Sequence, residues 1–359
     1  MRILSEVSHL RIFRGMKRFF FAMVLCIGTV VTSGCTSPTD AQDVQQVLPA
    51  PVTARGGMQL VWGPDVKKAA LKLIQSSHRE VYLDMYELSD KDIIQALVAA
   101  RKRNVDVRVV LDATEPHSTS VGYPSLRADG VTVREISIKQ GIDHVKMLTT
   151  DAGTLIGGMN FGANSWNNND ASVLIPHANS EFRTMFLWDF SRAAGEAIEA
   201  PTLPPPLIID GGIESALVQA IQSARQTIDM EAFDLSDKAL IQALGAALAR
   251  GVAVTILVDP TQSYNRSTVD TLRDAGAMVR YYRPYDGELM HAKILDVDHG
   301  ATFIIGSANF SHQAFTYNHE ADLELHDVPQ FDASLREDLQ TQMGRGSDYP
   351  MKAANRSWG

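Results

Sequence analysis

The chain is poor in cysteine. Among its 359 residues the only thiols are Cys26 and Cys35, both near the N-terminus. Neither a disulfide framework nor a cysteine-based zinc site can be built from them. An excess of positive charge is also missing. Lys and Arg number 33 against 42 Asp and Glu, a formal net charge of −9, so a polyanion binder would need a local basic patch on an acidic body. With 25 Gly and 15 Pro there is no collagen-like or low-complexity bias. Long apolar runs are scarce: Phe19 to Ser33 spans roughly 15 residues, short of the ~20 of a membrane-crossing helix. What is present is 45% hydrophobic content, enough for large cores and, at this length, two domains.

Lys17 and Arg18 precede that apolar run, which ends in Thr32-Ser33-Gly34-Cys35. The arrangement resembles the lipobox of bacterial lipoproteins and implies that residues 1–34 are a signal peptide and that Cys35 becomes the lipidated N-terminus. Thr32 departs from the larger aliphatic residue usual there. Met16-Lys17-Arg18 is itself a conventional opening, so translation starts at Met1 or at Met16, in which case residues 1–15 are not translated. Residues 1–34 hold five of the basic residues and one of the acidic ones, leaving a net charge of −13 on the remainder. The expected location is the bacterial cell envelope, lipid-anchored and facing the periplasm. The absence of an acidic residue at Thr36 favours the outer membrane.

Residues 35–57 are polar, contain Pro38, Pro49 and Pro51, and read as the lipidated cysteine and its tether. Four prolines between Pro201 and Pro206 exclude helix and central strand and mark a linker at 201–212. The linker separates a first domain, 58–200, from a second, 213–348, followed by a tail at 349–359. The two domains are repeats. Tyr86-Glu87-Leu88-Ser89-Asp90-Lys91 aligns with Phe233-Asp234-Leu235-Ser236-Asp237-Lys238, and 14 of 27 positions from 86 to 112 are identical at that offset. Each copy predicts a helix (64–77; 213–225), a strand (81–87; 227–234), a helix capped by Ser89 or Ser236, and a strand ending in Asp112 or Asp259. A short helix follows (123–129; 267–275), then a strand (131–136; 278–283). Alternating strands and helices imply parallel pairing in a helix-covered sheet.

Two further strands in each copy (144–150 and 154–158; 291–297 and 302–306) carry the chemistry. The first opens His144-Val145-Lys146 or His291-Ala292-Lys293, and Asp151 or Asp298 follows. Residues i and i+2 of a strand share a face, so each imidazole and ammonium point the same way, ~6–7 Å apart along the strand. The second leads into Gly157-Gly158-Met159-Asn160 or Gly306-Ser307-Ala308-Asn309. Glycine admits a ligand to the backbone and Asn offers an amide donor. Asp170, after Asn168 and Asn169, faces Glu320, after Asn318. One His-x-Lys signifies little, since a solvated strand histidine is common. Retention of the whole set in both copies, where neighbouring positions differ, points to one site that needs both.

Histidine can be nucleophile, acid or base near neutral pH, and Lys and Asn can hold phosphate oxygens. The pattern requires no metal and no cofactor. It suits displacement at phosphorus, with one histidine forming a phosphohistidine and the other protonating the leaving oxygen. His-x-Lys-x4-Asp followed by Gly-Gly/Ser-x-Asn, twice in one chain, resembles the HKD motif of the phospholipase D superfamily. The resemblance covers essentially the whole mature chain. It implies an α/β fold of two duplicated α/β/α sandwich domains with mixed sheets, related by a pseudo-twofold, with one site between them. It implies His144 as nucleophile, His291 as general acid, and Lys146, Lys293, Asn160 and Asn309 on the phosphoryl group. Asp170 and Glu320 would orient the histidines, and Asp151 and Asp298 are expected to form structural ion pairs. Two departures stand out. Five residues separate Asp151 from Gly157 and seven separate Asp298 from Gly306, where the family has six. Gly158 replaces the serine found at Ser307, removing one hydroxyl near phosphate.

Three functions follow. The leading one is phospholipid hydrolysis or phosphatidyl transfer by a monomer held on its membrane. A periplasmic nuclease is the alternative, its groove drawn from Arg101, Lys102 and Arg103 or from Arg266, Arg273 and Arg280. A catalytically inactive binding lipoprotein is disfavoured by the intact duplicate set. Trp166 and Tyr317 are candidates for the mouth of the site or for packing, and the aromatic stretch Phe182 to Phe190 reads as a buried helix face.

Overall fold

The computed structural model describes residues 46–177 and 180–350. The proposed signal peptide, Cys35 and the tail beyond residue 350 lie outside them. The first half runs β1 (Val52–Thr53), β2 (Gln59–Trp62), α1 (Pro64–Ser76), β3 (Glu80–Met85), α2 (Lys91–Lys102), β4 (Asp106–Asp112), α3 (Tyr123–Ala128), β5 (Thr132–Ile136), β6 (Lys146–Thr150), β7 (Gly153–Gly157), β8 (Ala171–Pro176) and α4 (Ser180–Arg192). The second runs β9 (Leu207–Ile209), α5 (Gly211–Ser223), β10 (Thr227–Ala232), α6 (Lys238–Ala249), β11 (Ala253–Val258), α7 (Asn265–Asp274), β12 (Met278–Tyr281), β13 (Lys293–Val297), β14 (Thr302–Gly306), α8 (His312–Thr316), β15 (Ala321–His326) and α9 (Pro329–Arg345).

The strands form two mixed sheets, ordered β1-β2-β8-β7-β6-β3-β4-β5 and β12-β11-β10-β13-β14-β15-β9. In each, the strand–helix–strand units pair in parallel (β3 with β4, β4 with β5; β10 with β11, β11 with β12), and a hairpin-linked strand then enters antiparallel beside β3 or β10. The central strands are buried on both faces, as near-continuous apolar runs require. Behind the first sheet, α1 and α2 close a core with Leu83, Leu97 and Val109. Behind the second, α5, α6 and α7 do the same with Leu217, Leu244 and Ile256. Between the halves a shared core collects Phe182 and Phe186 of α4 with Phe331 and Leu335 of α9. There the Trp62 indole N–H donates to Ser334 Oγ across the halves at 2.9 Å.

Several boundaries differ from the sequence reading. Residues 46–57 are not a free tether: Val52 and Thr53 pair with Leu60 and Gln59, Leu48 packs on the shared core, and Gln342 of α9 donates to the Val47 carbonyl at 3.0 Å. The linker contains β9, which adds to β15 as an edge strand just after the prolines. Both strands are too short to show alternation. The helix caps are Asp90 and Asp237, whose carboxylates accept two backbone N–H groups each, one residue beyond the serines. A carboxylate also suits the helix N-terminus electrostatically. The unequal gap before Gly157 and Gly306 is absorbed in the hairpins: Thr150 pairs with Gly153, whereas Val297 pairs with Thr302 across a longer turn containing Asp298, His299 and Gly300 at positive φ.

Candidate active site

The motif strands start two residues later than expected, at Lys146 and Lys293, because each histidine lies in a segment stitched to the opposite half. The His144 N–H donates to the His319 carbonyl at 2.8 Å, and the His319 N–H donates to the Ile142 carbonyl at 2.9 Å. Reciprocally, the His291 N–H donates to the Asn169 carbonyl at 2.7 Å, and the Asn169 N–H donates to the Leu289 carbonyl at 2.8 Å. Aspartates ending the parallel strands brace the same segments. Asp112 caps Thr114 with Oδ1 and accepts the Asp143 N–H with Oδ2, each at 2.7 Å. Asp259 does likewise for Thr261 at 2.7 Å and Met290 at 3.0 Å.

The side chains cross in the same way. His144 Nδ1 lies 2.9 Å from Glu320 Oε2, and His291 Nδ1 lies 2.7 Å from Asp170 Oδ2. Each histidine is therefore oriented by the acid of the other repeat. With Nδ1 so engaged, Nε2 is the nitrogen left for chemistry. Tyr86 meets the His144 ring edge-on at 5.1 Å with the Lys146 ammonium 5.1 Å from its own centre. Phe233 stands 4.8 Å from the His291 ring and 5.0 Å from the Lys293 ammonium. Lys146 donates to the His144 carbonyl and Lys293 to that of His291, and Lys293 Nζ lies 3.0 Å from both His291 ring nitrogens. Asn160 and Asn309 follow β7 and β14 with their side-chain oxygens buried and unpartnered among the described residues.

Burial sets the charges. It pushes Lys146 down to about 7 and Lys293 to about 8, against the pull of Glu320 and Asp170. It lowers His144, with Glu320 opposing, and lowers His291 further because Lys293 and Lys146 add to it. Burial raises Asp170 to about 7 despite Lys293 and the Ala171 N–H. Burial also works upward on Glu320, but His144, Lys146 and the Ser307 hydroxyl outweigh it and hold that carboxyl at about 2. An anion between the two ammonium groups would relieve their desolvation and their mutual repulsion.

The remaining motif residues lie elsewhere or act differently. Ser307 Oγ donates to Glu320 Oε2 at 2.6 Å and accepts the Ala321 N–H at 2.9 Å. The hydroxyl missing at Gly158 thus corresponds to a contact with the orienting acid. Asp151 and Asp298 sit at the far ends of β6 and β13. Their partners are the backbone N–H groups of His78, Arg79 and Glu80 and of Arg225, Gln226 and Thr227, at 2.7–3.3 Å. Arg79 alone adds a long ion pair, 3.8 Å from Asp151. These carboxylates chiefly gather turn amides, and among the described residues an ion pair accompanies them only at Asp151. Trp166 packs in the first core and donates to Asp90 at 2.9 Å, while Tyr317 stands 37% exposed. Tyr86 and Phe233 escaped the sequence reading as site residues, though both stand in the repeat register. So did His319 and Asn169, whose signal was their position before each acid.

A family model described as "Cardiolipin synthase, PLD-like domain" matches residues 70–192 and again 217–342. The chain belongs to the phospholipase D superfamily. Among phospholipase D relatives, cardiolipin synthase A of Pseudomonas fluorescens is 26% identical over 310 residues, covering 74% of this chain and 64% of that protein. The chain thus spans less than two thirds of that synthase. Among solved structures the fold is shared with phosphatidylserine synthase from Haemophilus influenzae, with a TM-score of 0.64 at 14% identity over 82% of this chain and 88% of that one. It is shared too with polyphosphate kinase from Porphyromonas gingivalis, with a TM-score of 0.60 at 17% identity over 84% of this chain and 51% of that one.

Proposed function

We propose that the protein is a metal-independent phosphodiesterase of the phospholipase D superfamily that acts on phospholipids, by hydrolysis or phosphatidyl transfer, through a phosphohistidine. The observation that carries this reading is the crossed pairing of two buried histidines with two buried carboxylates beside two lysines. Similarity to a cardiolipin synthase over most of the chain favours a lipid substrate. So does the acidic composition, which disfavours polyanions.

His144 is the better nucleophile, because the ionised Glu320 on its Nδ1 directs the Nε2 lone pair outward. His144 Nε2 bonds to phosphorus as the bond from phosphorus to the leaving oxygen breaks, and His291 gives that oxygen a proton. His291 then takes a proton from water or an alcohol, whose oxygen displaces His144 from phosphorus. Lys146, Lys293 and the amides of Asn160 and Asn309 stabilise the charge on the equatorial oxygens. Acylation of Cys35 would keep the site on its substrate surface, and the mass of the N-terminal peptide tests it.

The direct test presents the full chain, in mixed micelles with excess EDTA, with phosphatidylcholine or phosphatidylglycerol. Phosphatidic acid or cardiolipin should form, and a His144→Ala/His291→Ala double variant should make neither. Cleavage of single-stranded DNA without any lipid product would overturn the lipid reading.

A further inference from the structure

His319 precedes Glu320 and takes no part in the chemistry above. It is 2% exposed, with Nδ1 2.8 Å from Asp210 Oδ1 and Nε2 3.1 Å from Asp189 Oδ1. Nδ1 has hydrogen-bond geometry toward Asp210, whereas Nε2 meets Asp189 as a charge contact without that geometry. A neutral imidazole would leave a lone pair facing one of the two carboxylates, so the pairing favours a proton on each nitrogen. The two acids come from different places. Asp189 belongs to α4 of the first half, and Asp210 ends the linker at the entry to α5. Asp210 Oδ1 also accepts the Glu320 N–H at 3.1 Å. The charged groups around the ring are completed by Asp84 of β3, Asp143 ahead of His144, and Arg192, which bonds Asp189 at 2.8 Å. The Trp188 ring covers the imidazole edge-on at 5.5 Å.

The equivalent position in the other repeat is Asn169. Its amide donates to Asp338 Oδ2 at 2.6 Å, and Gln342 donates to Asp338 Oδ1 at 3.1 Å, with Glu231 alongside. That network has the same place in the architecture and contains no cation.

We propose that His319, as an imidazolium clamped between Asp189 and Asp210, is a positioning residue that aims Glu320 at His144, while Asp170 is aimed at His291 by an amide network without a cation. The inference rests on the reaction proposed above. It makes the aim of Glu320, and not that of Asp170, depend on a titrating imidazolium. Burial pulls His319 downward, but Asp189 and Asp210 carry it well above the ordinary histidine range. The clamp is therefore complete below the ordinary value and is lost as pH rises through the raised one.

Hydrolysis of bis(4-nitrophenyl) phosphate by the full chain, followed from neutral to alkaline pH, tests this. Asp210→Asn keeps an oxygen for the Glu320 N–H and removes the charge. It should move the alkaline limb of kcat to lower pH with KM nearly unchanged. His319→Asn, which copies the other repeat, should lower kcat about 10- to 100-fold and leave in that limb only the titration of Lys146 and Lys293. Wild-type kcat and an unmoved limb in folded Asp210→Asn protein would overturn the inference. Histidine 15N spectra at about pH 7.5 give an arm independent of turnover: two protonated ring nitrogens on His319 are expected, and a neutral tautomer refutes the clamp. An inactive wild type would sink the proposed reaction while the spectra still decide the clamp.

Discussion

The first repeat places Asp170 over Gly158, and the second places Glu320 over Ser307. A Cβ at Gly158 would come within 2.3 Å of Asp170 Oδ1. At Ser307 the side chain fits and its hydroxyl donates to Glu320 at 2.6 Å. The longer acid reaches its histidine past the serine, while the shorter one needs the glycine. Each repeat has thus settled a different volume and hydrogen-bond count around the same task. Glu320 also receives the Asn318 amide at 2.9 Å, whereas Asn168 turns its side-chain oxygen to the Leu289 N–H at 3.0 Å. The acid with more donors stays ionised and the other is pushed up to about 7. Duplication supplied two equivalent sets of residues, and the difference between their acids makes two unequal histidines.

The largest test of that inequality replaces the histidines singly. His144→Ala and His291→Ala should each lower kcat by roughly 10³-fold or more. His291→Ala protein should accumulate phosphoenzyme from a substrate with a good leaving group, and His144→Ala protein should not. Intact-mass measurement reads this directly, and the reverse pattern would exchange the two roles. Next in size, Glu320→Gln should cost more in kcat than Asp170→Asn, because it strips charge from the acid that is held ionised. Equal losses would remove the proposed difference between the acids.

Gly158→Ser should lower activity and thermal stability, since the new side chain meets Asp170. Adding Asp170→Glu should recover part of both by recreating the Ser307–Glu320 arrangement. A double variant no better than the single one would show that the two sites are not interchangeable in volume. The smallest effect is a control in which the repeats should agree. Asp151→Asn and Asp298→Asn should each cost about 1 kcal/mol of stability in chemical denaturation near pH 7. Both carboxyls are held below the ordinary value, since the turn amides outweigh the upward pull of burial. Their contribution is present above the unfolded value and fades as pH falls through the folded one.

The repeat, the order of helices and central strands, and the His, Lys, Asn and acid positions were all legible, because matching residues recur in one register. The crossing was not. Nothing in the order of residues tells His144 from His291 as the partner of Glu320, since the pairing is decided by how the halves dock. β1 and β9 were missed because edge strands of two and three residues carry no period. Ser89 and Ser236 are good caps by residue type, and the aspartates one step later won the position. His319, Asp84, Asp143 and Asp189 belong to no motif read from the sequence, and burial in a shared interior revealed their role.

The reciprocal backbone bonds of His144 and His291 have a consequence for how the protein fails. Each half holds the main chain of the other's histidine, so separating the halves dismantles both reactive groups at once. Turnover then reports domain docking. In a denaturation series, catalysis should vanish as the halves part, even where both sheets keep their circular-dichroism signal. An isolated half, however well folded, would hold a histidine without its acid and an acid without its histidine.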